Sequence, residues 1–184
     1  MRDREFWALA AGIFAATYPG LSLIGNLKPI GLWFGVPEVV ATGAIMVLAA
    51  GNGLGRVAWG VVYDKLGGRT VGVCMAAVAL SVVGLAFGGC STALFLSAAM
   101  FFGLAYGGSL AIFPARVSHV FTPKVLGSVY PVVLVAHGLA GITGAPLQGW
   151  AYDMTGSHYA GFGIALAVTL AGWAVYARLS RAPG

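Results

Sequence analysis

Six long apolar stretches, separated by short polar breaks, make up almost the whole chain. They cover about 6–27, 39–63, 70–89, 92–113, 128–150 and 159–177. Each has roughly the 20 residues that a helix needs to cross the hydrocarbon core of a bilayer. The pattern predicts an all-α membrane protein with six transmembrane helices. The first stretch reads as a retained span, because its apolar run is long for a signal peptide and Asp3 and Glu5 interrupt the basic lead-in. No soluble domain, low-complexity linker or charge-rich tail interrupts the series. Residues 1–184 therefore read as a single six-helix membrane domain.

Composition narrows the classes further. Of 184 residues, 59% are hydrophobic, 8% are charged and 29 are glycine, with a mean hydropathy of +0.90. A soluble domain carries about 25% charged residues and about 7% glycine. A soluble, disordered, fibrous or nucleic-acid-binding protein is thereby excluded, and the expected solvent is the lipid bilayer. The net charge of +5 reads as orientation. An even number of spans leaves both termini on one side. Arg2, Arg4, Lys65, Arg69, Arg116, Lys124, Arg178 and Arg181 then share that side, and only Lys28 lies opposite. The basic side of a membrane protein is the cytoplasmic one, so both ends are expected in the cytoplasm and the chain in the cell (inner) membrane. Cys74 and Cys90 are 16 residues apart, about 24 Å along one helix. A disulfide needs Cα atoms within about 7 Å, so these two are not expected to pair.

The chain also repeats itself. Gly60, Tyr63, Asp64 and Gly67 after the second span recur as Gly149, Tyr152, Asp153 and Gly156 after the fifth, at an offset of 89 residues. A three-helix unit used twice, about 1–90 and 91–184, accounts for this. Three crossings are odd, so the second copy is inverted in the membrane. Inverted repeats are a recurring design of secondary transporters, whose substrate sites lie near the midplane where the units meet. In the inner copy Asp64 is expected to accept bonds from the first free amides of the following segment, and Arg69 is able to pair with it. The motif Gly60, Asp64, Gly67 and Arg69 is thus either a capped turn or a conformational latch.

Ionisable side chains inside a span are expensive and mark candidate sites. Two stand within the six spans: Arg56 on the second and His137 on the fifth, which hold equivalent places in the two repeats. Arg56 either snorkels or bonds backbone, or it clamps a carboxylate through the parallel donors of its guanidinium. His137 is either a packing residue or a titratable group, since an imidazole ordinarily titrates near about pH 6.5. An arriving carboxylate beside it would recruit a proton. Phe102 and Tyr106 share one helical face, as ordinary packing or as an aromatic wall with a hydroxyl donor. Asn26, Asn52 and Gln148 are candidates for helix–helix hydrogen bonds, with Asn52 also a candidate substrate contact. Gly51-x-x-x-Gly55, Gly84-x-x-x-Gly88 and Gly103-x-x-x-Gly107 predict close-packing faces. No metal site or cofactor is expected, because His119, His137 and His158 fall at three different depths and no nucleotide-binding loop is present. Enzyme chemistry is not expected either: no nucleophile setting or paired intramembrane carboxylates occur.

The segment Gly60-x-x-x-Asp64-Lys65-x-Gly67-Gly68-Arg69 resembles the signature loop of the major facilitator superfamily. The preceding run, Gly51-Asn52-Gly53-Leu54-Gly55-Arg56-Val57-Ala58-Trp59-Gly60, resembles the eighth helix of its oxalate/formate antiporter and monocarboxylate transporter branch. Ala111 to Ala115, then Phe121, Lys124, Gly127 and Tyr130, then Gly138 to Gly141 and Asp153 to Ser157 resemble the same carboxy-terminal half. The resemblance covers about residues 20 to 160 and implies half of a major facilitator fold, lacking the amino-terminal six spans. It implies that Arg56 is the substrate-binding arginine and that Phe102 and Tyr106 line the site. Three positions depart from the pattern: His119 replaces an acidic residue, Thr122 replaces a glycine, and His137 replaces a Trp or Lys. The expected function is a half-size secondary carrier for a small organic anion such as a mono- or dicarboxylate, by antiport or proton symport. One half supplies one wall of a cavity, so the expected partner is a second six-helix half or another copy of the chain. The alternative is a non-transporting membrane scaffold or the remnant of a split transporter gene.

Overall fold

The computed structural model describes residues 2–122, 124 and 126–180. Seven α-helices and two 3-10 turns follow in order: α1 Arg2–Leu23, a turn Ile24–Asn26, α2 Leu27–Trp33, α3 Glu38–Leu66, α4 Arg69–Ala86, a turn Gly88–Cys90, α5 Thr92–Phe121, α6 Leu126–Thr155 and α7 His158–Ser180. Six of the resulting segments are long and apolar enough to cross a membrane, α1 and α2 together forming the first, Arg4–Trp33. The chain is a multi-pass membrane protein. Successive spans alternate in direction, so Arg4, Lys65, Arg69 and Arg178 gather at one end of the bundle, and Lys28 and Glu38 at the other. Arg181 lies outside the described residues.

All six predicted spans are present, but several run further than their apolar cores. The first continues to Trp33, through residues expected in an outer loop. Asn26 keeps it helical by donating its side-chain amide to the Ser22 carbonyl at 2.9 Å. Pro29 falls in the first turn of α2, where a missing amide hydrogen costs little. Lys28 spends its charge on Glu38 at 2.8 Å. Likewise α5 carries on past Pro114 to Phe121, and α6 contains both Pro131 and Pro146. In a packed bundle the freed carbonyls find other partners, so proline does not end a span.

The packing order shows the two inverted units. If α1, α3 and α4 form one unit and α5, α6 and α7 the other, each second helix leaves its own unit: α3 packs chiefly on α5, and α6 on α1. The third helices follow the same exchange, α4 lying on α5 and α7 on α1. This arrangement makes α1 and α5 the centre. The most apolar stretches of those two spans are 67% and 61% buried, against 17% for α3 and 11% for α6. The two least enclosed helices are therefore the equivalent members of the two units. Two buried clusters fill the bundle. One, around Leu27, Ile30, Leu85, Phe95 and Phe102, lies towards the Lys28 end; the other, around Leu9, Ile13, Met75, Ile112 and Phe113, lies towards the Arg178 end.

Glycine sets the closest approach. The Gly51/Gly55 face of α3 meets the Gly103/Gly107 face of α5 directly. A Cβ on Gly51 would sit 2.5 Å from the Met100 carbonyl oxygen, and one on Gly55 would overlap that of Leu104. Reciprocally, a Cβ on Gly103 or Gly107 would strike the Leu48 or Asn52 carbonyl. Trp59 closes the seam by donating its indole N–H to the Leu104 carbonyl at 3.1 Å. The third glycine pair is split: a Cβ on Gly88 would lie 3.0 Å from the Phe95 ring, whereas nothing lies within 4 Å of one on Gly84, so only Gly88 packs closely. Small polar groups also bridge helices. Ser109 donates to the Ala16 carbonyl at 3.4 Å and Thr169 to that of Ala15 at 3.3 Å. Cys74 is buried and Cys90 exposed, both as free thiols.

The repeated turn motif has one geometry in both places. Gly67 has φ +55° and Gly156 has φ +66°. The Gly67 amide donates to the Tyr63 carbonyl at 2.8 Å, and that of Gly156 to the Tyr152 carbonyl at 2.7 Å. Glycine in a left-handed conformation is the common way to end a helix. The repeat is thus a pair of helix stops. The capping expected of Asp64 is not made: α4 begins at Gly68 without a side-chain cap. Nor is the Asp64–Arg69 pair, since Lys28–Glu38 is the only ion pair among the described residues. Asp64 still belongs to the last turn of α3, and both it and Arg69 are exposed. Gly60 has open space beside it.

Candidate substrate-binding site

Arg56 lies on an exposed flank of α3, beside the glycine seam. It borders a groove of about 430 Å³ with Ile24, Leu48, Ala49, Asn52 and Gly53. One helical turn away, the Asn52 side-chain oxygen accepts from Arg56 Nε at 3.1 Å. That bond holds the guanidinium by its inner nitrogen and leaves the two terminal nitrogens to act as a fork. A fork of this kind matches a carboxylate in two parallel charge-assisted bonds.

Tyr106 is brought near and Phe102 is not. Tyr106 is buried against Gly20, whose Cβ would overlap its ring, and its hydroxyl is close enough to feel the Arg56 charge. Phe102 is 1% exposed and belongs to the Leu27–Phe95 cluster, so its ring is packing material in this conformation. The i, i+4 spacing aligned their Cα positions, but the tighter environment of α5 separated their roles.

His137 stands on α6, half-buried, with a buried Nδ1 that has no hydrogen-bond partner. It does not line the Arg56 groove. Its depth nevertheless matches. Arg56 is ten residues from the end of α3 at Leu66, and His137 eleven from the end of α6 at Leu126, both at the Arg178 end of the bundle. At 1.5 Å per residue these are about 15 and 16 Å. The two charges-in-waiting therefore sit level on the two least enclosed helices, separated by α1 and α5. Asn26 and Gln148, by contrast, lie toward the other end: Asn26 bonds its own helix, and Gln148 is buried with its amide 3.5 Å from His158 Nδ1.

Arg116 is a polar centre that the sequence assigns to a loop. Pro114 looks like the end of the fourth span, but α5 runs through it and carries Arg116 into the bundle. Its guanidinium covers Gly68, where a Cβ would lie 2.8 Å from Nη1. It also acts electrostatically on the hydroxyls of Tyr63 and Tyr176, while Glu5 acts on Tyr176. Residues from α1, α3, α5 and α7 thus come close together at the Arg178 end. Their wide separation along the chain is why no local pattern announces them.

The architecture defines the class: six spans in two inverted three-helix units, half of a major facilitator fold. The relatives agree, and the chain belongs to the major facilitator superfamily. It is 30% identical over 146 residues to the uncharacterized MFS-type transporter YhjX of Escherichia coli, covering 77% of this chain and 36% of that protein. It is 30% identical over 152 residues to the oxalate:formate antiporter of Oxalobacter formigenes, covering 80% and 36% respectively. An MFS-type transporter of Gibberella moniliformis is 26% identical over 126 residues, with 68% and 30% covered. The chain thus spans about a third of the length of the curated relatives it matches. No protein-family profile matches it.

Proposed function

We propose that this chain is the carboxy-terminal half of a secondary carrier that moves a small organic anion, a mono- or dicarboxylate, by alternating access. The carrying observation is the Arg56 fork: a permanent cation in an open groove, tethered at Nε by Asn52 at 3.1 Å with its terminal nitrogens free. An arginine that served only the fold would spend those donors on backbone or on an acid. Tyr106 supplies a hydroxyl on the same side. A relative named an oxalate:formate antiporter supports an anionic substrate. The exposed helices α3 and α6 support a partner that completes the cavity, either a second six-helix half or another copy of this chain. Both termini are assigned to the cytoplasm and the chain to the inner membrane, from the distribution of basic residues. His137 allows the transport to be coupled to a proton; without that coupling the carrier exchanges anions.

The test is binding and uptake of labelled mono- and dicarboxylates in liposomes holding the chain with its second half. Arg56→Ala should lower affinity by about 1.5–3 kcal/mol, the usual worth of hydrogen bonds to a charged group. Arg56→Lys should also lower it although the charge remains, because the fork is gone. Asn52→Ala, which only frees the guanidinium, should weaken binding less. Affinity unchanged in both Arg56 variants would remove Arg56 from the site and the carboxylate reading with it.

A further inference from the structure

The outer copy of the repeated turn has an electrostatic gap that the inner copy lacks. Asp153 lies in the last turn of α6, and no basic residue accompanies it there. The carbonyl end of a helix carries a partial negative charge, so an acid at that place is unfavourable unless a cation is near. In the inner copy Lys65 shares the last turn with Asp64, and Arg69 opens the next helix. On the outer side the only lysine or arginine is Lys28, and it is bound to Glu38 at 2.8 Å. Asp153 forms no ion pair among the described residues, not even with His158.

Beside this carboxylate is a cavity of about 550 Å³, bordered by Asn26, Trp33, Tyr152, Asp153 and His158 among others. Its walls are fixed by ring packing. His158 is stacked on Tyr152 at 4.4 Å and 23°, and Trp33 stands at 82° to His158, 5.5 Å away. Trp33 is braced from another side by Tyr159 at 5.1 Å. His158 covers one face of the Tyr152 ring, and Tyr152 stays 37% exposed. Asn26 has turned its N–H group to the Ser22 carbonyl, so its side-chain oxygen is the atom left over. A carboxylate, an amide oxygen and aromatic rings are all electron-rich. Aromatic faces attract organic cations, and a carboxylate beside them adds the charge partner.

We propose that this outer cavity binds an alkylammonium group, with Asp153 as its counter-ion and Tyr152 and Trp33 as its aromatic walls. The ligand replaces from outside the basic residue that the inner copy of the turn carries in its own sequence. The group belongs either to a free amine in the external medium or to the headgroup of an outer-leaflet lipid. The site is independent of Arg56 and of the anion it is proposed to hold.

The test uses the full chain in nanodiscs of pure phosphatidylglycerol and measures binding of radiolabelled choline. Saturable binding in the millimolar range is expected, weakened at least about tenfold by Asp153→Asn and by Tyr152→Leu. Arg56→Lys should leave it unchanged, which separates this site from the anion groove. A second series replaces part of the lipid by phosphatidylethanolamine or phosphatidylcholine. Loss of choline binding there identifies a lipid headgroup as the natural occupant; undiminished binding identifies a free amine. Asp153→Asn should not lower the thermal midpoint, since the residue is exposed and its charge opposes the carbonyl end of α6. The absence of saturable choline binding in every disc, or equal binding by wild type and Asp153→Asn, would overturn the proposal.

Discussion

Thr122 is the one non-glycine residue with a positive φ among those described, at +73°. A left-handed backbone favours glycine, and a β-branched side chain there is strained by about 1–3 kcal/mol. The major facilitator pattern that the chain resembles has glycine at this position, and the backbone explains why. Thr122→Gly should therefore stabilise the protein by about 1 kcal/mol, less than the full strain because glycine frees the unfolded chain. A rise in the thermal midpoint in detergent would show it, and a fall would mean that the hydroxyl holds something. His137 poses the other question at this scale. Its unpartnered Nδ1 leaves it poised for a ligand or a proton. If it takes up a proton together with the anion, affinity strengthens as pH falls through the neutral range and levels off once the free imidazole is also charged. His137→Gln should abolish that dependence between about pH 5 and 8. Identical pH profiles for wild type and variant would make His137 a packing residue.

Helix α3 owes its position to one face and its proposed work to another. The glycine face brings its backbone onto α5, and the side chains of Asn52 and Arg56, on the flank beside it, reach into the groove. Any side chain at the seam must push α3 away, because the atoms in the path are backbone carbonyls of Leu48, Asn52 and Leu104. Gly55→Val or Gly103→Val should destabilise the fold by about 1–3 kcal/mol, the usual range for overpacking. Thermal unfolding in detergent is the measurement. Gly84→Val is the control: it meets open space and should leave the midpoint within about 0.5 kcal/mol of wild type. If all three variants behaved alike, the α3–α5 seam would not be the tight contact described here. The same element shows how one sequence stripe has different meanings. Gly51/Gly55 and Gly103/Gly107 found each other, while Gly84 found no partner.

In the molecule as a whole, the exchange of second helices between the two units makes the bundle depend on both copies of the repeat. It also leaves α3 and α6 as paired outer flanks that bear Arg56 and His137 at matched depth. Two such flanks suit the lining of a cavity shared with a second bundle. The distribution of basic residues predicts an orientation. Cysteine substitutions in a cysteine-free background should be labelled by impermeant reagent from the cytoplasmic side at Lys65 and Lys124, and from the outside at Asp153. Labelling of positions 65 and 153 from the same side would break the inverted arrangement. Glu5, Tyr63, Arg116 and Tyr176 bring charges and hydroxyls from four spans close together at the Arg178 end of the bundle. No comparable set was visible before the helices were brought together.

The amino-acid sequence alone determined the number of spans, which end of the bundle is basic, and the twofold use of one three-helix unit. These follow from apolar length, net charge and spacing, all additive along the chain. It also singled out Arg56 and His137, since a charge inside an apolar run needs no fold to be noticed. Tertiary structure decided where the spans stop, because a proline or asparagine ends a helix only when its neighbours fail to satisfy the freed groups. The Asn26 side chain found its partner on the same helix, and α1–α2 and α5 ran on through Pro29 and Pro114. It decided which glycine stripes pack, since a close approach needs an equally bare surface opposite. It separated Phe102 in the core from Tyr106 beside Arg56, and it made Arg116 a half-buried helical residue of the bundle instead of a loop residue. Each of these depends on contacts between residues far apart in the chain, and such contacts leave no local trace in the order of amino acids.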